Sequence, residues 1–330
     1  MLIFLARRLA LALVTCAMIS VLTFAIIRLP PGDFVDAYIA NLAASGSTVT
    51  AEQATAMRRD YGLDRSVLVQ YGLWISKVAH GDFGISMMWR RPVTEVIGDR
   101  LWLTMVVSFS ALFLTWMIAL PIGIYSAVRQ YSMGDYIFTM LGFIGLAIPN
   151  FLLALILMYA GFRYFGLAIG GLFSAEFAEA PWSWARLWDL AKHVPLPACV
   201  LALAGTAQLI RIMRANLLDE LRKPYVVTAR AKGISERRLL MKYPVRAALN
   251  PFASAIAYIF PYLVSGSIVV SLVLGLPTVG PLLLQALVAQ DMFLAGSIVL
   301  LLGVMTVAGT LVSDLTLMWI EPRIRLQGRG

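Results

Sequence analysis

Few side chains in this sequence stand where covalent chemistry could be done. His80 and His193 are isolated, with no partner at the spacing of a zinc-binding helix. No lysine is both preceded by Gly and followed by Ser or Thr, which excludes a GxxxxGK[ST] phosphate loop, and no Gly-x-Ser-x-Gly elbow presents a serine nucleophile. Cys16 and Cys199 fall in separate apolar runs without metal-ligand spacing. They read as small buried hydrophobes with no disulfide between them. Asp314 is the one carboxylate inside a long apolar run. Charge at such a depth can serve an ion relay, but no second acid or base accompanies it, and its place near the end of the run suits a polar anchor. Without a catalytic constellation, any energy used by this chain has to come from another subunit.

The densest polar chemistry is instead a basic island. Between Arg211 and Arg246 there are ten Lys/Arg against three acids. Pro224 opens a helix-prone run that Gly233 is placed to end. Ser235 is placed to cap a second short helix, 236–243, before Pro244. Two short basic helices at an angle fit either a groove on a partner protein or anionic lipid headgroups. The small side chains of Ala229, Ala231 and Gly233 around Arg230 and Lys232 favour the protein, because they let two backbones approach closely.

The elements that must hold this island are apolar. Hydrophobic residues make up 60% of the chain and charged ones 14%, and mean hydropathy is +0.81, outside the range of soluble globular domains. The net charge of +9 does not point to nucleic acid, since the positive residues lie in loops beside apolar segments. Six spans are expected, at 9–27, 101–128, 136–162, 194–210, 247–276 and 294–320, each long enough to cross a hydrocarbon core at about 1.5 Å per residue. The first is too long for the apolar core of a signal peptide and reads as a retained span. Pro121, Pro149 and Pro261 interrupt three spans, which suits a bundle enclosing a path. Ser267, Ser271 and Gly275 form a small-xxx-small row on the fifth.

Sixteen Lys/Arg fall on the side of the two termini and eleven on the other, where the stretch 28–100 matches its eight with eight acids. Positive charge therefore places both termini in the cytoplasm. The stretch 28–100 reads as a folded helical cap. Thr50-Ala51-Glu52-Gln53 has capping-box spacing, Asp64 is placed to cap a helix carrying Val67, Tyr71, Trp74 and Val78, Gly81-Asp82-Phe83-Gly84 is a turn, and Pro92 leads into the next span. Outside the membrane at 163–192, Trp182, Trp184 and Trp188 suit its interface. The stretch 277–291 is a short apolar segment at the outer surface. The chain thus reads as a single membrane domain, 1–330, with an outer insertion at 28–100 and a cytoplasmic loop at 211–250.

Tyr225-Val226-Val227-Thr228-Ala229-Arg230-Ala231-Lys232-Gly233 resembles the EAA loop of ABC importer permeases, in the form found in the B-type subunits of the dipeptide/oligopeptide/nickel branch. The similarity extends to Tyr61-Gly62-Leu63-Asp64, Gln70-Tyr71, Gly81-Asp82-Phe83-Gly84, Pro92-Val93, Pro121-x-Gly123, Ile148-Pro149, Leu196-Pro197, Asp291, Asp314 and Pro322-Arg323-Ile324-Arg325. It implies an all-α integral membrane protein with the type I importer permease fold, six transmembrane helices, N-in and C-in, and a helical periplasmic insertion. It also implies a second, C-type permease, two cytoplasmic ATPase subunits that bind ATP and Mg, a periplasmic solute-binding protein, a bacterial inner-membrane location and no cofactor on this chain. Tyr225, Ala229, Arg230, Ala231, Lys232, Gly233, Ile234 and Ser235 would carry the contact with the ATPase. The sequence departs from the family at Ser271, where Glu is frequent, and at Pro277-Thr278, Tyr243-Pro244-Val245-Arg246 and Glu321-Pro322-Arg323. Peptides are the solute the resemblance implies, with oligosaccharides or nickel complexes as alternatives. A stand-alone channel or ion-coupled carrier is the competing class, and transport by this chain without an ATPase would identify it.

Overall fold

A computed structural model describes residues 2–28, 32–44, 49–166, 170–250, 252 and 268–320. Their regular secondary structure is all helical, joined by turns and loops, apart from one isolated antiparallel bridge between Ile85 and Pro92. In chain order the helices are α1 (Leu2–Arg28), α2 (Phe34–Ala44), α3 (Ala51–Asp60), α4 (Val67–Ala79), α5 (Val93–Val128), α6 (Met133–Ala147) and α7 (Asn150–Phe165). There follow α8 (Trp184–His193), α9 (Pro195–Leu221), α10 (Pro224–Ala231), α11 (Glu236–Lys242), α12 (Pro244–Ala248), α13 (Val279–Val288) and α14 (Met292–Ile320). α1, α5 and α14 are each long and apolar enough to cross a membrane, and the count rises to five if two bent pairs are single spans. One pair is α6 with α7, bent by 99° at Pro149, whose ring cannot continue the helix before it. The other runs through α8 and α9, bent by 52° between Leu203 and Gly205. The fifth expected span, with Pro261 and Ser267, falls mostly outside the described residues.

The chain divides into two compact units, one of Met1–Thr104 with Pro277–Val307 and one of Met105–Leu276 with Ala308–Gly330. In the first, Phe24 of α1, Trp74 of α4 and Leu300 of α14 share an apolar cluster. Phe34 and Val35 of α2 pack with Ala54 of α3 and with Met87, and a third cluster joins Val93 and Ile97 to α13 and α14. Thr50 caps α3 through the full reciprocal box with Gln53, as its spacing required. Arg58 spans the start of α2, donating from Nε to Asp33 at 2.9 Å and from a terminal nitrogen to Asp36 at 2.5 Å.

α4 starts from Ser66, not Asp64. The intervening turn is closed by Gln70, whose amide reaches back to the carbonyls of Leu63 and Arg65, so Asp64 lies too early to cap. The turn at 81–84 is present, with Gly84 N–H donating to the Asp82 carboxylate. Both histidines sit at helix ends, each with Nδ1 against a carbonyl one turn back, Ser76 for His80 and Asp189 for His193.

In the second unit the basic stretch begins later than its composition suggested. α9 continues through Arg211 and Arg214 to Leu221, because long basic side chains can leave an apolar helix face by their tips. Gly275 is not on a helix face. It takes a φ of +63° and ends the short helix at 268–273, with Leu276 N–H bonded to Ser271 O at 2.8 Å. The small-residue row is broken by this turn, which glycine alone enters without strain. Cys16 is partly exposed and Cys199 exposed, and both are free thiols. The expectation that they are buried fails, since a membrane span is apolar outside as well as in.

Candidate functional site

The basic island folds into a closed elbow. Pro224 occupies the first turn of α10, where its missing N–H is not needed. At the other end Gly233 adopts a φ of +76°, its N–H bonds to Arg230 O at 2.9 Å, and Ile234 N–H bonds to Ala229 O at 3.3 Å. These two bonds form a Schellman stop, satisfying carbonyls that the helix end leaves open. Its usual apolar contact is present too, with Ile234 packed against the buried trio Val226, Ala229 and Leu239. Ser235 then adopts the extended conformation that precedes α11, although its hydroxyl makes no capping bond.

A charged brace crosses the outside of the bend. Arg230 donates from Nε to one oxygen of Glu236 at 2.5 Å and from a terminal nitrogen to the other at 3.1 Å. This two-point geometry suits a planar guanidinium and is unavailable to lysine. The hydrogen bond from Arg230, with its charge, holds the Glu236 carboxyl below the usual range.

The elbow is tied to α9 at two places. Tyr225 donates its hydroxyl to Glu220 at 2.6 Å and Lys223 donates to the same carboxylate at 2.5 Å. Burial, and then the hydrogen bond and charge of Glu220, push the Tyr225 phenol upward. On the far side of α11, α12 folds back so that Val245 and Ala248, with Phe252, pack into one cluster with Met213 and Leu217 of α9 and Ala119 and Ala127 of α5. α9 is in turn clamped to α6, where Arg214 donates to both oxygens of the buried Asp135 at 3.1 and 2.9 Å. Gly123 of α5 lies so close to α9 that a Cβ there would come within 2.6 Å of Met213. The elbow is thus packed, directly and through α12, onto α9 and the helices α9 contacts.

The eight residues singled out from the sequence divide by role. Ala229 is buried and Ile234 half-buried in the elbow's own core, Tyr225 and Arg230 are engaged in its ties, and Ala231, Lys232, Gly233 and Ser235 face outward. Val227, Arg237, Arg238 and Met241 are also exposed on α10 and α11, and the sequence reading missed them because the motif stops at Ser235. Together they form a mixed apolar and basic exposed face. Among the described residues no group of three or more His, Cys, Asp or Glu comes together to hold a metal.

A second polar node lies in the other unit. Asp291 is wholly buried and accepts from Ser86 Oγ at 2.5 Å, Met88 N–H at 3.0 Å and Leu294 N–H at 3.1 Å. It caps α14 and staples the loop 84–92 to that helix end.

Residues 119–326 match the family described as binding-protein-dependent transport system inner membrane component, and residues 1–108 match its N-terminal membrane-component family. The oligopeptide transport system permease protein AppB of Bacillus subtilis is 34% identical, over 93% of this chain and 94% of its own length. The oligopeptide transport system permease protein OppB of Mycobacterium bovis is 31% identical, over 98% of this chain and 99% of its own. With family matches over both parts of the chain and apolar helices of spanning length, the chain belongs to the binding-protein-dependent transport system inner membrane component family and is a multi-pass permease subunit of the inner membrane.

Proposed function

We propose that this chain is the non-catalytic permease subunit of an ATP-driven ABC importer for peptides or solutes of similar size. It pairs with a second, C-type permease to form the path, receives its solute from a periplasmic binding protein, and crosses the membrane six times with both termini inside. ATP and Mg belong to two separate ATPase subunits. The names of the two relatives, both oligopeptide permeases, support peptides as the solute.

The observation that carries this reading is the elbow of α10 and α11. It is internally closed by the Schellman turn and the Arg230–Glu236 brace, and its outward residues are small, apolar or basic. Such a rigid knob can sit in a cleft of an ATPase. When nucleotide closes the ATPase pair, the knob moves and the motion passes through α12 into α9. A Cβ at Gly233 would meet nothing within 4 Å, but its φ of +76° strains any residue other than glycine, so a bulky side chain there both loosens the turn of the elbow and projects into the docking cleft. Gly233→Trp is expected to leave the protein in the membrane while abolishing solute-stimulated ATPase activity of the reconstituted transporter. Stimulation equal to wild type would overturn the assignment.

A further inference from the structure

α4 is too short to cross a membrane, at 13 residues or about 20 Å against a hydrocarbon core of about 30 Å. One side of it packs on two helices of spanning length. Trp74 lies against Phe24 of α1 with ring centroids 6.0 Å apart, and shares a cluster with Leu300 of α14. Tyr71 and Ser20 of α1 are hydrogen-bonded at 2.8 Å. Since the Ser20 hydroxyl already donates to Ala17 O, Tyr71 is the donor.

These contacts fix depth. Ser20 lies eight residues before the end of α1 at Arg28, about 12 Å along the axis. Leu300 lies eight residues after the start of α14 at Met292, again about 12 Å in. The headgroup layer on each side is only about 5–7 Å thick. Even with Arg28 and Met292 at its outer edge, Ser20, the partner of Tyr71, and Leu300, in the cluster of Trp74, therefore stand inside the hydrocarbon. α4 has no charge from Ser66 to Ser76, and the side turned away from Tyr71 and Trp74 exposes Leu68, Val69 and Leu73, with Leu68 83% exposed. Charged residues appear only before its start, at Asp64 and Arg65, and in its last turn, at Lys77. In water such a face would be a liability; at this depth it continues the apolar exterior of α1, where Leu13, Val14, Met18, Val21 and Leu22 are exposed.

We propose that α4 is a non-spanning helix embedded in the leaflet at the Arg28 end of α1, with lipid acyl chains covering Leu68, Val69 and Leu73. The first outer insertion is then part membrane element and part aqueous cap. The inference goes beyond the importer assignment and is read from the unit that does not contain the elbow, so each can fail without the other.

The test places a bimane label on Leu68→Cys, Leu73→Cys or the exposed α3 control Glu52→Cys, in a background with Cys16 and Cys199 replaced by Ala. The assembled transporter is purified into nanodiscs of phosphatidylcholine with or without acyl-chain bromine. Labels at 68 and 73 are expected to be quenched more by brominated lipid than by aqueous iodide, and the order to reverse at 52. Stronger quenching by iodide at 68 and 73 would show an aqueous surface, and quenching by neither would show a protein interface. Either result overturns the proposal.

Discussion

Asp33 and Arg58 tie α3 to the start of α2 through one ionised carboxyl. Burial opposes ionisation of Asp33, but the Arg58 hydrogen bond, the backbone donors of α2 and the nearby charge outweigh it and hold the group below its ordinary 3.8. A carboxyl depressed in the folded state stabilises fully above its unfolded pKa, and the stabilisation is lost as pH falls through the lower native one. Wild-type protein should therefore lose thermal stability on acidification below about pH 4, and Asp33→Asn should start lower and show a flatter decline. Thermal unfolding in detergent across that range checks it; parallel curves for the two proteins would contradict it. Arg230 behaves differently because it and Glu236 are both well exposed, at 49% and 67%. Solvent screens such a pair, which then adds little to global stability. Arg230→Ala should leave the melting temperature near wild type while lowering solute-stimulated ATPase activity, because the brace fixes the angle of the elbow. A large drop in melting temperature with normal stimulation would be the opposite result.

The elements were legible where their signals are local. The capping box at Thr50, the Pro149 break, and Pro224 and Gly233 bounding α10 all act within a few residues, so spacing alone reveals them. What stayed hidden acts across the fold. Arg214 and Asp135 are 79 positions apart, and nothing local marks Arg214 as a helix-clamping residue instead of one more loop cation. Ser86 and Asp291 are separated by 205, and Gln70 closing the turn before α4 is equally invisible to periodicity. Gly275 reads as a packing residue in a motif, whereas its positive φ makes it a helix stop. Two glycines of α5 show the same limit and permit a test. A Cβ on Gly98 meets nothing within 4 Å, while one on Gly123 falls 2.6 Å from Met213 Cβ and 3.2 Å from Ile210 O. Gly98→Ala should stabilise by about 0.5–1 kcal/mol through reduced backbone freedom. Gly123→Ala should destabilise by about 1–3 kcal/mol because α9 has to move away. Equal effects in thermal unfolding would mean that α5 and α9 are not packed this closely.

For the whole molecule, composition and its apolar runs sufficed to identify a multi-pass membrane protein, and the motif of the basic stretch sufficed to identify its family. Solute identity is not legible in either, since no cluster of polar side chains in the described residues spells out a ligand. The account rests on a mechanical link in which a compact elbow on this chain docks on a nucleotide-driven partner and passes its motion to α9. Cysteine crosslinking from the outward side of that elbow tests the link most directly. With Cys16 and Cys199 replaced, Ala231→Cys or Lys232→Cys, paired with cysteines introduced around the ATPase cleft, should trap an adduct between this chain and the ATPase. Its yield should change when nucleotide is added. Failure to capture the ATPase from either position, or labelling of these cysteines by an impermeant reagent from the periplasmic side, would contradict the account.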